Sequence, residues 1–362
     1  MNTDEMRDRL HDYVRHETPT GDAAALDGLL AEIGQRYTEL GAAVEREAHP
    51  GGAHLVARFP GSAGREDERP VLCLGHHDTV WPRGALEWRE SDGRVFGPGV
   101  YDMKGGLVVF ETAVESLRDV PHRPVTMVVV ADEEIGSPTA RALLEREAAD
   151  AVAALGFEPP HPDGALKTAR RGSTRVRIEV TGRESHAALA PEDGASAIEE
   201  LVDQVVALRG LVAGYPGVLC NVGTIGGGGR TNVVPGQAWC EVGLRFADAG
   251  SERSVLAALS ELEPVRAGTI VRSTILTNRP VWTGEDPGLA EVLRAAAAEV
   301  GQPAGGRPAA GGADTNLTGS LGVPSLDGLG PVGRGAHAPD EQIVTASLVE
   351  RARLTAALLA RL

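Results

Sequence analysis

The sequence predicts an α/β fold with an inserted α+β unit, and three observations predict it. Continuous apolar runs alternate with amphipathic segments up to Arg170, alternating strands take over through residue 278, and the first pattern then returns. Continuous apolar strands belong to sheets covered on both faces, whereas alternation belongs to a sheet with one face in water. The expected organisation is a discontinuous larger domain, residues 1–170 and 279–362, interrupted by a smaller one over 171–278.

Leu, Val, Ile and Tyr recur at three- and four-residue spacing over 6–15 and 23–40, which predicts two helices separated by the breaker Thr18-Pro19-Thr20-Gly21-Asp22. Residues 53–59, 70–75 and 125–131 are unbroken apolar runs and read as buried strands. A helix over 104–117 follows the turn GPGVYDMKGG, and one over 139–148 leads to a strand over 151–156. In the inserted part, 175–181 alternates as a strand and 195–211 is helical. Strands over 218–225 and 237–246 flank GGGGRTNVVPG, and a helix over 252–262 precedes a strand over 269–276. That βαββαβ order is ferredoxin-like. A helix over 287–300, a loop-rich stretch to residue 340 and a helix over 346–362 complete the chain. The glycine runs at 226–229 and 305–312 are short enough to be turns, and no internal repeat is visible.

Composition narrows the function. A chain of 362 residues is long for a single core and supports two domains. Its 42% hydrophobic and 24% charged content is that of a folded protein. Thirty-five Lys and Arg against 51 Asp and Glu give a net charge of −16, which repels phosphate backbones and anionic lipid, so neither nucleic acid nor membrane is expected as a partner. Cys73, Cys220 and Cys240 are odd in number and sit in apolar segments, which favours buried thiols in a reducing compartment over a disulfide framework. No export leader and no spanning stretch are read, and a cytoplasmic location is expected.

Chemistry concentrates where strands end. The apolar run ending at Gly75 passes into His76-His77-Asp78, and polar groups at the carboxyl end of a strand in an α/β sheet lie where ligands bind. A His two residues before an Asp allows the imidazole to hold a metal while the carboxylate tunes it, although taken alone the pair reads more readily as structural. Asp102 stands at a turn that opens a helix and reads otherwise as an N-cap. Glu133 and Glu134 follow the run ending at Ala131, Glu158 follows AVAALGF, and His337 lies in a late loop. Two imidazoles and several carboxylates without a CxxC pair suit two divalent ions such as zinc, with cobalt or manganese as substitutes.

The segments GHHDTVWPRG, GPGVYDMKGG, ADEEIGS, GFEP, SHA, GRTNVVPG and AHAPDE occur in this order and span most of the chain. With them the sequence resembles the M20 family of metallopeptidases, particularly its glutamate carboxypeptidase-like branch. The resemblance implies a phosphorylase/hydrolase-like catalytic domain with an inserted ferredoxin-like dimerisation or lid domain. It implies two Zn2+ per subunit, one held by His76 and Glu158, the other by His337 and Glu134, with Asp102 bridging. Glu133 matches the general base and Asp78 the carboxylate that orients His76. The peptide after Asp102 is cis in relatives. His186 matches a histidine that stabilises the attacked carbonyl from the small domain, reaching the partner subunit's site, which implies a homodimer through that domain. Asn232 and Arg279 match positions that grip a free α-carboxylate, so a small-molecule or short-peptide substrate carrying one is expected.

Elementary chemistry agrees with this arrangement. Two cations roughly 3.5–4 Å apart need a shared anionic ligand, and solvent between them becomes acidic near neutrality. A carboxylate beside the cage but outside it, as Glu133 is expected to be, can move that proton to the leaving amine. The Gly311-Gly312 turn is expected to shape the pocket wall through Gly312. The stretch PHPDGALKTARRG departs from glutamate-preferring relatives and offers only Lys167 as an extra anion contact; Arg245 reads equally as a structural residue. The expected activity is release of a C-terminal amino acid from an N-acyl or short peptidyl substrate. The alternatives are an N-acyl-amino-acid deacylase or biosynthetic amidohydrolase on the same site, and, from another class, an inactive dimeric binding protein on a peptidase scaffold.

Overall fold

The computed structural model describes every residue except Glu285 and Ala304. The chain divides into two compact units, Met1–Arg170 with Trp282–Leu362, and Arg171–Val281. The expected helices α1 (Thr3–Arg15) and α2 (Ala23–Glu39) form, capped by Asn2 and Asp22, whose side chains accept backbone N–H groups of the first turn. β1 (Ala43–Glu47), β2 (His54–Phe59) and β3 (Val71–His76) follow, then the short β4 (Arg89–Ser91) and β5 (Arg94–Phe96). Next come α3 (Lys104–Glu115), β6 (Val125–Val130), α4 (Arg141–Asp150), β7 (Ala153–Gly156) and β8 (Leu166–Arg170).

The second unit contains β9 (Gly172–Thr181), α5 (Ala197–Ala213), β10 (Leu219–Gly227), β11 (Gln237–Phe246), α6 (Ala249–Ser260) and β12 (Ile270–Arg279). Its antiparallel sheet runs β10-β11-β9-β12, the βαββαβ topology. β9 alternates buried and solvent-facing residues, and Val176, Ile178, Val180, Leu201, Val242, Leu244 and Phe246 form the core beneath it. The unit ends at Val281 rather than at residue 278 because β12 stays paired with β9 through Arg279. α6 starts three residues earlier than its periodicity indicates, since Asp248 caps it by accepting from Ser251 N at 2.8 Å.

The chain then re-enters the first unit as α7 (Pro287–Glu299), β13 (Gly306–Ala309), α8 (Thr315–Ser320), β14 (Ser325–Leu326), β15 (Gly333–Arg334), β16 (Gln342–Val344) and α9 (Ser347–Arg361). β13 pairs with β8, so the glycine stretch 305–312 contains a strand and is not simply a turn. The main sheet runs β1-β2-β6-β3-β7-β14, with β6, β3, β7 and β14 mutually parallel. β3, β6 and β7 are wholly buried, as unbroken apolar runs require. Tyr37 and Phe110 meet edge to face at 5.6 Å and Phe110 and Phe157 at 5.4 Å, which seats residue 157 firmly in the core beside Glu158. All three cysteines are free; Cys73 and Cys240 are buried as expected, but Cys220 is only half-buried, on edge strand β10. Among the described residues no helix is long and apolar enough to cross a membrane.

Candidate metal centre

His76 is the last residue of β3, Glu158 stands two residues beyond β7, and Glu133 and Glu134 form a single 3-10 turn after β6. Because these three strands are parallel neighbours, their carboxyl ends deliver these side chains to one edge of the sheet. Asp102 lies in the turn before α3, and its peptide bond to Met103 is cis. It is not the N-cap: that position is Met103, which makes no side-chain cap bond. His337 comes from the loop between β15 and β16, with a left-handed φ of 62°.

These residues converge on the two oxygens of Asp102. Its Oδ1 is 3.3 Å from His76 Nε2, which is 3.6 Å from Glu158 Oε1. Its Oδ2 is 3.4 Å from His337 Nε2, which is 3.0 Å from Glu134 Oε2. His76, Asp102 and Glu158 form one group whose ligand atoms lie within 4.8 Å of one another, and Asp102, Glu134 and His337 form a second. Glu133 belongs to neither group. The donor set of imidazole and carboxylate, with no thiol among it, fits divalent zinc, cobalt or manganese. A second observation supports that fit: Glu134 Oε1 is buried with no hydrogen-bond partner, an arrangement that a cation would relieve.

The electrostatics describe a cage with excess negative charge. Burial and the charges of Asp102 and Glu133 push Glu158 well above the usual carboxyl range, and burial likewise raises Glu134. Hydrogen bonds to Asp102 and Glu134 push His337 up to about 10. Burial also opposes ionisation of Asp102, but its bonds to His337 and His76 outweigh that and hold it low.

Asp78 does more than its expected role. His76 Nδ1 donates to the main-chain carbonyl of Asp78 at 2.9 Å, with the carboxylate farther off at 3.3 Å. That bond places the ring proton on Nδ1 and turns the Nε2 lone pair toward Asp102 and Glu158. The Asp78 carboxylate also accepts the backbone N–H of Glu133 and of Glu134, each at 3.2 Å, and the Thr20 hydroxyl at 2.8 Å. A cavity of about 10 Å³, room for roughly one solvent molecule, is lined by His76, Glu133, Glu158, Asp314 and Thr315. His77 faces away, donating from Nδ1 to the carbonyl of Val130 at 2.8 Å. Gly312 sits in the turn leading to α8, next to Gly311, whose carbonyl accepts from Arg170 Nη1 at 2.7 Å.

In the second unit the structure brings His186 and Asn232 together: Ala187 N donates to the Asn232 carbonyl at 3.0 Å, and residues 186 and 233 bridge. The exposed His186 accepts the N–H of Ala188 and of Leu189 at Nδ1, both at 3.2 Å, so its ring proton resides on Nε2. Arg279 ends β12 opposite Ser173, and Arg245 of β11 lies opposite the same serine, forming a row across three strands. Among the described residues Arg245 makes no carboxylate pair; its hydrogen bond goes to the carbonyl of Leu244.

A model of peptidase family M20/M25/M40 matches residues 72–361. The chain belongs to this family. This M20 chain is 28% identical to carboxypeptidase G2 of Pseudomonas sp. (strain RS-16), over 94% of this chain and 85% of that protein. It is 30% identical to succinyl-diaminopimelate desuccinylase of Methylorubrum populi, over 89% of each. Its fold matches a tripeptidase from Staphylococcus aureus with a TM-score of 0.77 at 20% identity, over 99% of this chain and 98% of that one. It matches an M20 family metallo-carboxypeptidase from Sulfolobus solfataricus at 0.74 and 17%, over 99% of both. The M20 chain is therefore a hydrolase of a metal-dependent peptidase and amidohydrolase family.

Sequence reasoning missed Glu341. Buried four residues beyond His337, it accepts from Tyr101 N and Asp102 N at Oε1 and from Gly99 N and Trp81 Nε1 at Oε2. Only its place in AHAPDE marked it, because its partners lie more than two hundred residues earlier.

Proposed function

We propose that the protein is an amide hydrolase dependent on two divalent cations, zinc or in its place cobalt or manganese, that releases a C-terminal amino acid from an N-acyl or short peptidyl substrate. The observation that carries this reading is the division of Asp102, one oxygen toward His76 and Glu158 and the other toward His337 and Glu134. When bound, such a pair of ions polarises the scissile carbonyl and makes solvent acidic enough to attack near neutral pH. His76 and Glu158 would hold one ion and His337 and Glu134 the other, with Asp102 contributing an oxygen to each. Glu133, at the wall of the small cavity, takes the proton of the attacking water and passes it to the leaving nitrogen. Its backbone, tied to Asp78, holds it at that wall.

His186 carries its proton on Nε2 and donates it as a hydrogen bond to the carbonyl oxygen while negative charge develops there. Asn232 and Arg279 take the substrate's α-carboxylate, and Arg245, sharing the Ser173 row, supplies a second guanidinium. Gly312 shapes the pocket wall, and Lys167, whose pKa burial lowers, remains the one candidate for gripping an acidic side chain such as glutamate. A homodimer through the second unit is part of this reading. α5 exposes Ile198, Val202 and Val206 at four-residue spacing, and the edge strand β10 exposes Leu219 and Ile225. The location proposed is the cytoplasm.

A second reading, an N-acyl-amino-acid deacylase or biosynthetic amidohydrolase, is favoured by the desuccinylase relative. Released amine scored over dipeptides, glutamate-terminated peptides and N-acetyl and N-succinyl amino acids separates the two. In the same assay Glu133→Gln should keep its metals and lose about 10²–10⁴-fold in turnover. Full activity in that variant, or hydrolysis untouched by a strong chelator, rejects the mechanism.

A further inference from the structure

We infer that Glu341 is a positioning residue that sets the spacing of the second cation site by locking the Asp102 turn to the His337 loop; this rests on the two-cation reading above. The Asp102 side chain faces the two histidines, so its place depends on the backbone that carries it. Three N–H groups of that backbone, those of Gly99, Tyr101 and Asp102, converge on one carboxylate at 3.1, 2.9 and 3.1 Å. Trp81 Nε1 adds a fourth donor at 2.6 Å, three residues beyond Asp78. The carboxylate has four lone-pair directions and four donors, so it is saturated without any cation.

The turn cannot easily take this shape by itself. Gly99 has a φ of 75°, and a Cβ there would meet Thr79 Cγ2 at 2.7 Å. At the other end, Glu341 N donates to the Ala338 carbonyl at 2.9 Å, closing the loop that holds His337. Gly335, φ 85°, admits Glu341 because a Cβ there would meet its Cα at 2.9 Å. One side chain therefore joins the segments bearing Asp78, Asp102 and His337. Asp102 serves both ligand groups, but in the one containing His337 Glu341 anchors two members, Asp102 and the His337 loop, whereas in the other His76 and Glu158 are fixed by the ends of the buried strands β3 and β7.

Glu341→Gln places an NH2 group against N–H donors and should release the turn. The test strips the full-length protein of metal and titrates it with Co2+, following visible absorption and heat, alongside the wild type. The wild type should take two equivalents. In Glu341→Gln the second should bind about 10–100-fold more weakly and the first within about twofold, with activity restored by excess metal. Wild type that takes no cation removes the two-cation reading itself. Wild type that takes two, with Glu341→Gln matching it at the second site or weakened equally at both, overturns the positioning role. If Glu341→Gln does not fold, Trp81→Phe removes one donor and leaves no new buried polar group; it should weaken the second equivalent in the same direction by a smaller factor, and unchanged affinity there overturns the inference.

Discussion

His76 and Asp78 meet twice: the imidazole Nδ1 donates to the Asp78 carbonyl at 2.9 Å and lies 3.3 Å from the Asp78 carboxylate, which also holds the backbone of Glu133 and Glu134. Asp78→Asn should therefore keep the His76 bond and the first cation. It should lose about 10–100-fold in kcat, because one of the Glu133 and Glu134 N–H groups then faces an NH2. Steady-state kinetics beside metal analysis decide it; loss of metal with an unchanged kcat per bound metal would show that His76 is the residue served.

Cation uptake should release protons. His337 is pushed up to about 10 by Asp102 and Glu134, yet an imidazole ligates only when neutral. Apparent affinity should then rise with pH between about 6 and 8, by up to tenfold per unit for each proton released. Calorimetry in two buffers of different ionisation enthalpy reads the proton count; zero protons would contradict the charge state deduced for the cage.

Glu111 should make the protein less stable at alkaline than at acid pH. Buried against Tyr13, whose hydroxyl donates to it at 2.5 Å, it is pushed by burial from 4.5 to about 7, with Arg9 and Arg36 pulling the other way and Glu115 adding to the rise. Between those pH values the folded state holds the proton and the unfolded state does not, so stability falls as pH rises through the window. Glu111→Gln should flatten that slope, gaining on the order of 1–3 kcal/mol relative to wild type between pH 5 and pH 8. Urea unfolding of the metal-free protein at both pH values measures it.

Arg245→Gln and Arg279→Gln should each raise KM about tenfold or more for substrates with a free α-carboxylate, while leaving kcat less affected. The corresponding amides should respond to neither substitution. A KM unchanged in Arg245→Gln assigns that guanidinium to the fold.

The site was legible where a residue's surroundings are local. Unbroken apolar runs located β3, β6 and β7, and His76, Glu133, Glu134 and Glu158 follow from where those runs stop. Strands of two or three residues, such as β4, β5, β15 and β16, carry no period to read, so the sheet β15-β16-β5-β4 went unseen. β1, AVERE, is charged and largely exposed, and its pairing with β2 is a tertiary choice. α4 starts two residues later than its periodicity indicates because the Asp132 carboxylate accepts from both the N–H and the hydroxyl of Thr139, holding that stretch out of the helix. Glu341 stayed hidden because its donors are backbone groups, which have no letter in a sequence.

Arg170 N donates to the Trp282 carbonyl at 2.9 Å and Trp282 N to the Arg170 carbonyl at 3.1 Å. This reciprocal pair stitches together the first unit on either side of the insertion. It has a consequence for the order of assembly on the ribosome. His337 and Glu341 are synthesised only after all of Arg171–Val281, so the ends of β3, β6 and β7 exist without them while a whole second unit is made. Residue 337 therefore joins the candidate centre only after the whole second unit has been made.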